Sequence, residues 1–312
     1  MKHWLWRAAL LVGLALSPAT SSPVWAQTRA APDPEQAAHE AVTRKLNAYV
    51  ELLNRTLRAK ESLARYASWV NMKTGPTGRE RIIYGLYSLY DVRGEIEKAR
   101  AATVTAPVIP DLDAAFAAYI TAYETLAPAI TRAEGYYERQ DYKVDNMAEG
   151  RALHAALGPG GQAFLDERAK AEALFAREKA KSDAAELALL ERREGRKARW
   201  HLTNVMAQAR PIVELLPSDA KPVVDLGAFD AALTAYAAAV KDMDEYAAAH
   251  PNSFQAFEGR PRSWLGRLRE FRDKLGQAKG DARRGAGRDL TWIVNDYNTM
   301  VSTARTAAQL SR

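Results

Sequence analysis

Apolar residues recur along this chain at alternating steps of three and four, in long runs separated by short stretches rich in proline and glycine. That period is the signature of amphipathic helices packed side by side, and no segment shows the two-residue alternation of a half-buried strand. The pattern predicts an all-α fold, an elongated bundle of long antiparallel helices. Asp33 and Pro34 suit a cap and a first turn, and Val42, Leu46, Tyr49, Leu53 and Leu57 continue one stripe, so a single helix is expected from Asp33 to Ser68. Thr74-Gly75-Pro76-Thr77-Gly78 breaks it. A second helix is predicted from Arg81 to Ala102, carrying Ile83, Leu86, Tyr87, Tyr90 and Ile96. Thr103 to Pro110, with two prolines, reads as an extended connector.

Leu112, Phe116, Tyr119, Tyr123, Leu126 and Ile130 form the seam of a third helix, with Pro128 expected to kink it or mark a join. The Tyr/Asp-rich stretch 136–154 follows, and Gly158-Pro159-Gly160-Gly161 is expected to end its helix. The longest helical pattern runs from Gln162 to Leu216, as one helix or as two broken at Gly195. Its charged middle, Arg177 to Glu186, is expected to lie in water. A helix from Ala228 to Ala249 carries Phe229, Tyr236, Val240 and Met243, a shorter one carries Trp264, Leu268, Phe271 and Leu275, and Gly280 to Gly287 reads as a flexible run. The final stripe is Leu290, Val294, Tyr297, Val301, Ala304 and Ala308. Asparagines beside the first and last stripes lead to the expectation that those two helices pack side by side, with Asn54 or Asn47 within hydrogen-bonding reach of Asn298, Asn295 or Tyr297.

Asp113-Ala-Ala-Phe-Ala-Ala-Tyr119 is echoed by Asp230-Ala-Ala-Leu-Thr-Ala-Tyr236 in spelling and phase. The chain after residue 26 is therefore read as one helical domain, 27–312, or as two similar halves meeting near 158–226.

Composition changes this picture at the N-terminus. Lys2 and Arg7 flank the start of a short apolar core, Ala8 to Leu16, and Val24-Trp25-Ala26 places small residues before Gln27. Residues 1–26 read as a cleaved export signal, which gives a periplasmic location. Without Lys2 and Arg7 the 44 basic residues become 42 against 38 acidic, so the formal charge falls from +6 to +4. That mild excess does not single out nucleic acid as a partner. No later segment supplies the ~18 unbroken apolar residues of a membrane span. The absence of cysteine removes thiolate catalysis, thiolate metal sites and a lipidated N-terminus.

The candidate chemistry gathers at 136–154. Asp141, Asp145 and Glu149 are spaced by four, which on a helix would align three carboxylates beside Tyr137 and Tyr142, with His154 one turn further on. These six residues are the candidate ligand-binding set, suited to a cationic or sugar-like ligand. No metal or cofactor is assigned to them, because His154 points off the carboxylate face and no Glu-x-x-His pairs lie on separate helices. Their competing role is structural, as buried tyrosines hydrogen-bonded to acids and asparagines. The chain has no Gly-x-Ser-x-Gly elbow, no phosphate loop and no His-Glu-x-x-His, so no catalytic residues are named. His39, His201 and His250 read as surface or capping residues, and the basic clusters at 192–199 and 283–284 as solvated faces that could also meet anionic envelope material.

Lys45-Leu-Asn-Ala-Tyr-Val50 with Asn54, Tyr136-Tyr137 through Asp141-Tyr142-Lys143, Asp145 to His154, and Tyr297-Asn298 resemble the YiiG-like family of exported bacterial proteins carrying a domain of unknown function. The resemblance implies an exported helical domain and supplies no catalytic residues. Many members are lipoproteins, and this chain lacks the cysteine that would be lipidated. The Gly-x-His-x-x-Glu signature of imelysin-like proteins is absent. The expectation is an envelope-associated binding or structural protein, with an envelope protein or anionic envelope component as partner. The alternative is a small-ligand or metal binder using 136–154.

Overall fold

In the computed structural model, which describes residues 33–217, 222–284 and 287–310, the secondary structure is helical, and among those residues the only β-pairing is an isolated bridge between Val223 and Asp281. Residues 1–26, the predicted leader, lie outside the described residues. The chain divides into two compact units, with the boundary between Lys179 and Ala180.

The first unit opens with α1 (Pro34–Arg55), capped by Asp33, whose carboxylate accepts from Glu35 N at 3.1 Å. The predicted single helix is interrupted at Thr56, and α2 (Leu57–Ala67) follows. Thr56 Oγ1 bonds back to the Leu52 carbonyl at 2.6 Å, a local bond that competes with the helix ladder. The buried Arg168 guanidinium reaches in to the Leu53 carbonyl at 3.0 Å and the Tyr119 hydroxyl at 2.8 Å. The sequence pattern carries no sign of this arginine's role, because these partners lie 49 and 115 residues away on other helices.

The predicted helix over 81–102 starts only at α3 (Arg93–Val104). Residues 81–92 are extended, a correction taken up below. The third predicted helix is α4 (Pro110–Glu138), which continues through Pro128 and buries Leu112, Phe116, Tyr119, Tyr123, Leu126 and Ile130 as its spacing requires. Tyr49 of α1 stacks on Phe116 of α4 with ring centroids 3.9 Å apart. Beyond a short irregular segment, α5 (Ala148–Glu194) runs straight through Gly158-Pro159-Gly160-Gly161, the expected terminator. The reason is tertiary. A Cβ on Gly161 would stand 2.9 Å from the Leu63 side chain of α2, and one on Gly160 would stand 3.6 Å from Leu126 of α4. Small residues here permit close helix packing instead of ending the helix.

The second unit begins within α5. Of the two alternatives for the long pattern, the break at Gly195 is the one observed, with φ +76°, and α6 (Ala198–Leu215) follows. The charged span 177–186 is not wholly solvated as expected: Lys179, Ser182 and Asp183 are buried, Asp183 pairing with Arg210 of α6, while Ala184 and Ala185 face water. Four-step spacing here marks a packed side as well as a wet one. α7 (Leu226–Ala249) is capped by Asp225, which accepts from Ala228 N at 3.0 Å. α8 (Gly259–Gln277) and α9 (Gly287–Leu310) complete the unit, α7 packing on α6 and α8, and α9 on α8 and α6. Trp264 is fully buried, donating to the Ile293 carbonyl at 2.9 Å, and Tyr236 donates to the Pro261 carbonyl at 3.1 Å. The run read as flexible is pinned at its start, where Val224 N and Ala282 N bond to Gly280 and Pro222 carbonyls at 3.0 Å each.

In one unit α1 packs on α3 and α2, and in the other α9 packs on α8 and α6. Asn298 Oδ1 is buried without a hydrogen-bond partner among the described residues. The echoed heptads bury Tyr119 and Tyr236 alike, but Asp113 is paired with Lys45 and Asp230 with Arg272.

Candidate functional site

The Tyr/Asp stretch does not form the single helix that would align its carboxylates. Helix α4 ends at Glu138, Gln140 turns left-handed (φ 60°), residues 141–143 make one tight 3-10 turn, and Asn146 and Met147 are left-handed again before α5 begins. Asp145 organises this reversal. Its carboxylate accepts from Met147 N at 2.9 Å, Glu149 N at 2.8 Å and the Tyr136 hydroxyl at 2.8 Å. These donors, the Glu149 N–H foremost, hold its pKa below the ordinary carboxylate value. An aspartate that captures nearby backbone N–H groups competes with helix continuation, which is why a regular four-residue spacing was misleading here.

The predicted set is thereby dispersed. Asp141 is taken by Arg139 at 2.7 Å and Glu149 by Arg132 at 2.8 Å. Tyr137, Tyr142 and His154 do come together, in an aromatic cluster with Tyr66 and Trp69 of the α2 end. Tyr137 meets Trp69 edge-on at 5.0 Å and Tyr142 at 6.2 Å, and Tyr66 bonds His154 Nδ1 at 3.1 Å. The His154 ring is wedged against Gly75, where a Cβ would stand 2.7 Å from it. The Tyr137 hydroxyl is buried beside that of Tyr66, with no hydrogen bond of ordinary geometry among the described residues. Burial pushes the Tyr66 phenol up to about 12 and raises those of Tyr136 and Tyr137 further. These tyrosines therefore keep their protons at neutral pH, and the cluster offers packing and hydroxyl donors rather than a phenolate nucleophile. Among the described residues no group of three or more His, Asp or Glu side chains is placed to hold a metal ion.

A more open arrangement lies beside this cluster, where a helix was expected. From Arg81 to Val92 the backbone forms an extended strap along one face of α1–α2. The face presents side chains at alternating steps of three and four, and each bonds strap backbone. Arg55 Nε donates to the Asp91 carbonyl at 3.3 Å, Arg58 Nε to Ser88 at 3.3 Å, Arg65 Nε to Tyr84 at 2.8 Å, and Trp69 Nε1 to Gly85 at 3.0 Å. Between them Ser62 Oγ donates to the Tyr87 carbonyl and accepts from Tyr87 N, both at 3.1 Å. Strap backbone thus finds in side chains the partners a helix would have provided internally.

Strap side chains follow a step of three. Ile83, Leu86, Leu89 and Val92 turn inward, and Tyr84, Tyr87 and Tyr90 lie against arginines. The Arg58 and Arg65 guanidinium carbons sit 4.0 and 4.4 Å from the Tyr87 ring centre, and Arg55 sits 4.7 Å from that of Tyr90. Tyr84 and Tyr90 remain 43% and 49% exposed. A uniform step of three over ten residues is the signal that could have distinguished strap from helix, whose stripe drifts unless fours alternate with threes. Gly85, at φ +66°, adds a position that a helix would not use.

The other sequence candidates separate by environment. His250 is exposed and stacks on Tyr246 at 4.1 Å, and His39 lies 3.4 Å from Thr43. His201, expected at the surface, is buried between Trp200, Tyr246 and Phe254, and burial lowers its pKa. The basic clusters are tied to acids: Arg196 to Glu191 at 2.9 Å, Arg199 to Glu194 at 3.1 Å and Arg283 to Asp281 at 2.8 Å.

No helix among the described residues is long and apolar enough to cross a membrane. No solved structure matches the chain. The chain is similar to the protein named "Uncharacterized protein YiiG" of Escherichia coli (strain K12), with 28% identity over 271 residues, covering 82% of this chain and 76% of the relative. Residues 40–306, from the middle of α1 almost to the end of α9, match the model described as "Protein of unknown function (DUF3829)". The chain, all-α in its described residues, therefore belongs to the DUF3829 family, a YiiG-like family carrying a domain of unknown function.

Proposed function

We propose that this is an exported binding or structural interaction protein of the bacterial cell envelope, and that the strap is the surface it presents. The observation that carries this reading is the strap itself. It holds exposed tyrosines on arginines by a ladder of side-chain bonds to backbone, so its binding groups are ordered before any partner arrives. Tyrosine and arginine are the residue types that concentrate binding energy at interfaces. Export is supported by the basic, apolar and small-residue succession of residues 1–26. A photo-crosslinking amino acid at Tyr84 or Tyr90, expressed in cells, should give discrete adducts with a protein or lipid of the envelope. The same group at Val104, 82% exposed on α3, should give none. Absence of adducts at the strap would discard this reading.

A small-ligand site in the aromatic cluster is the second reading, favoured by the buried Tyr137 hydroxyl, which has no hydrogen bond of ordinary geometry among the described residues. A small hydrogen-bond acceptor reaching that hydroxyl would raise the melting temperature of the protein but not that of Tyr137→Phe.

A further inference from the structure

We infer that the loop and strap start from Met72 to Tyr84 form a peripheral docking site for an anionic lipid surface, a step that rests on reading the strap as the interaction surface. Three large apolar side chains stand in water here: Met72 (41% exposed), Ile82 (49%) and Tyr84 (43%). Interleaved with them are the exposed Lys73, Arg79 and Arg81, with Arg65 behind Tyr84. None of these four cations has an acidic partner among the described residues. Five other exposed cations of the same unit do: Arg93 with Asp91, Lys98 with Glu51, Arg100 with Glu124, Arg132 with Glu149 and Arg139 with Asp141, while Lys143 and Arg151 bond the Gln140 side chain and the Asn146 carbonyl. Glu80, the acid within the segment, is consumed locally, accepting from Thr77 Oγ1 and Gly78 N at 2.8 Å each.

The loop is built, not loose. Asn71 closes it through its carbonyl to Gly75 N at 2.8 Å and its side chain to Lys73 N at 2.9 Å, and Gly75 and Pro76 are buried beneath. Unpaired cations call for an anionic partner. Aliphatic side chains and a tyrosine beside them call for one that also accepts hydrocarbon at the depth of a side chain. The headgroup layer of an anionic bilayer supplies both, and no spanning helix is needed for such docking. An acidic protein would answer the charges and is the competing outcome.

The test uses protein purified from periplasmic extract and co-sedimented with vesicles of phosphatidylcholine alone or mixed with phosphatidylglycerol. Binding should appear with the anionic vesicles and weaken as salt is raised. It should fall about ten-fold or more in Arg79→Glu/Arg81→Glu, and likewise in Met72→Gln/Ile82→Ser, with unchanged melting curves. Val104→Ser should bind as the parent does. Equal binding to neutral vesicles, or insensitivity to the charge variant, would overturn the inference. Retention of polyglutamate with no vesicle binding, while Tyr84 crosslinks to protein persist, would overturn lipid docking and leave the interaction surface standing. Loss of both vesicle binding and strap crosslinks would remove the two together. A variant that melts early is replaced by Arg81→Gln, which must still weaken anionic-vesicle binding.

Discussion

Lys45 and Asp113 meet as a buried ion pair, the ammonium 2.8 Å from both carboxylate oxygens, with side chains 3% and 7% exposed. The remaining acceptor capacity of Asp113 is used by the Tyr49 hydroxyl at 2.6 Å and by Ile109 N at 2.9 Å, so one carboxylate ties α1 to the start of α4. Removing one partner leaves the other charge buried and uncompensated. Asp113→Ala should therefore destabilise by about 3–5 kcal/mol in urea titrations, whereas Lys45→Met combined with Asp113→Leu should recover most of that loss. Equal losses in the single and double variants would show that the pair is not the determinant.

The strap depends on Ser62. Its hydroxyl is the only group described as bonding both the N–H and the carbonyl of Tyr87. Ser62→Ala should cost about 1–3 kcal/mol, since it leaves backbone groups without partners. Hydrogen exchange at Tyr87 N–H should accelerate, and chymotrypsin should cut at Tyr84 to Tyr90 sooner. Unchanged protection there would mean that the arginines alone hold the strap.

Glycine to alanine should have opposite signs at two positions. Gly280 has φ +84° and a Cβ would stand 2.6 Å from the Val224 carbonyl oxygen, so Gly280→Ala should cost at least about 1–2 kcal/mol. Gly158 lies inside α5 with nothing within 4 Å of the added methyl, and Gly158→Ala should stabilise by up to about 1 kcal/mol. Thermal melts of the two variants check both signs.

His201 should make stability pH-dependent. Burial holds its folded pKa below the unfolded value of about 6.5, so the unfolded chain binds the proton first as pH falls. Its stability contribution is complete above that value and declines as pH drops below it. Asp242, which favours the charged ring, and Arg196 and His250, which oppose it, are the charged groups acting on it. The melting temperature should fall more steeply below about pH 6.5 in the parent than in His201→Phe. Parallel profiles would show that other groups carry the dependence.

Much of the molecule was legible in its sequence wherever the controlling interaction is local. The stripe Leu112 to Ile130 is buried as its spacing requires, Asp33 caps its helix, and the long pattern breaks at Gly195, one of its two expected forms, because periodicity, capping and glycine conformation act within a few residues. Tertiary structure decided the rest. Gly160 and Gly161 lie inside a helix because Leu126 and Leu63 of other helices pack closely on them, while Arg81 to Val92 became a strap because Arg55, Arg58, Ser62, Arg65 and Trp69 could satisfy its backbone. The candidate site shows the same division. The tyrosines of 136–142 gathered as their apolar bulk predicts, but Asp141 and Glu149 went to separate arginines and Asp145 to backbone N–H groups. Where a backbone or carboxylate group finds its partner depends on which chain segments meet, and a one-dimensional period carries no record of that encounter.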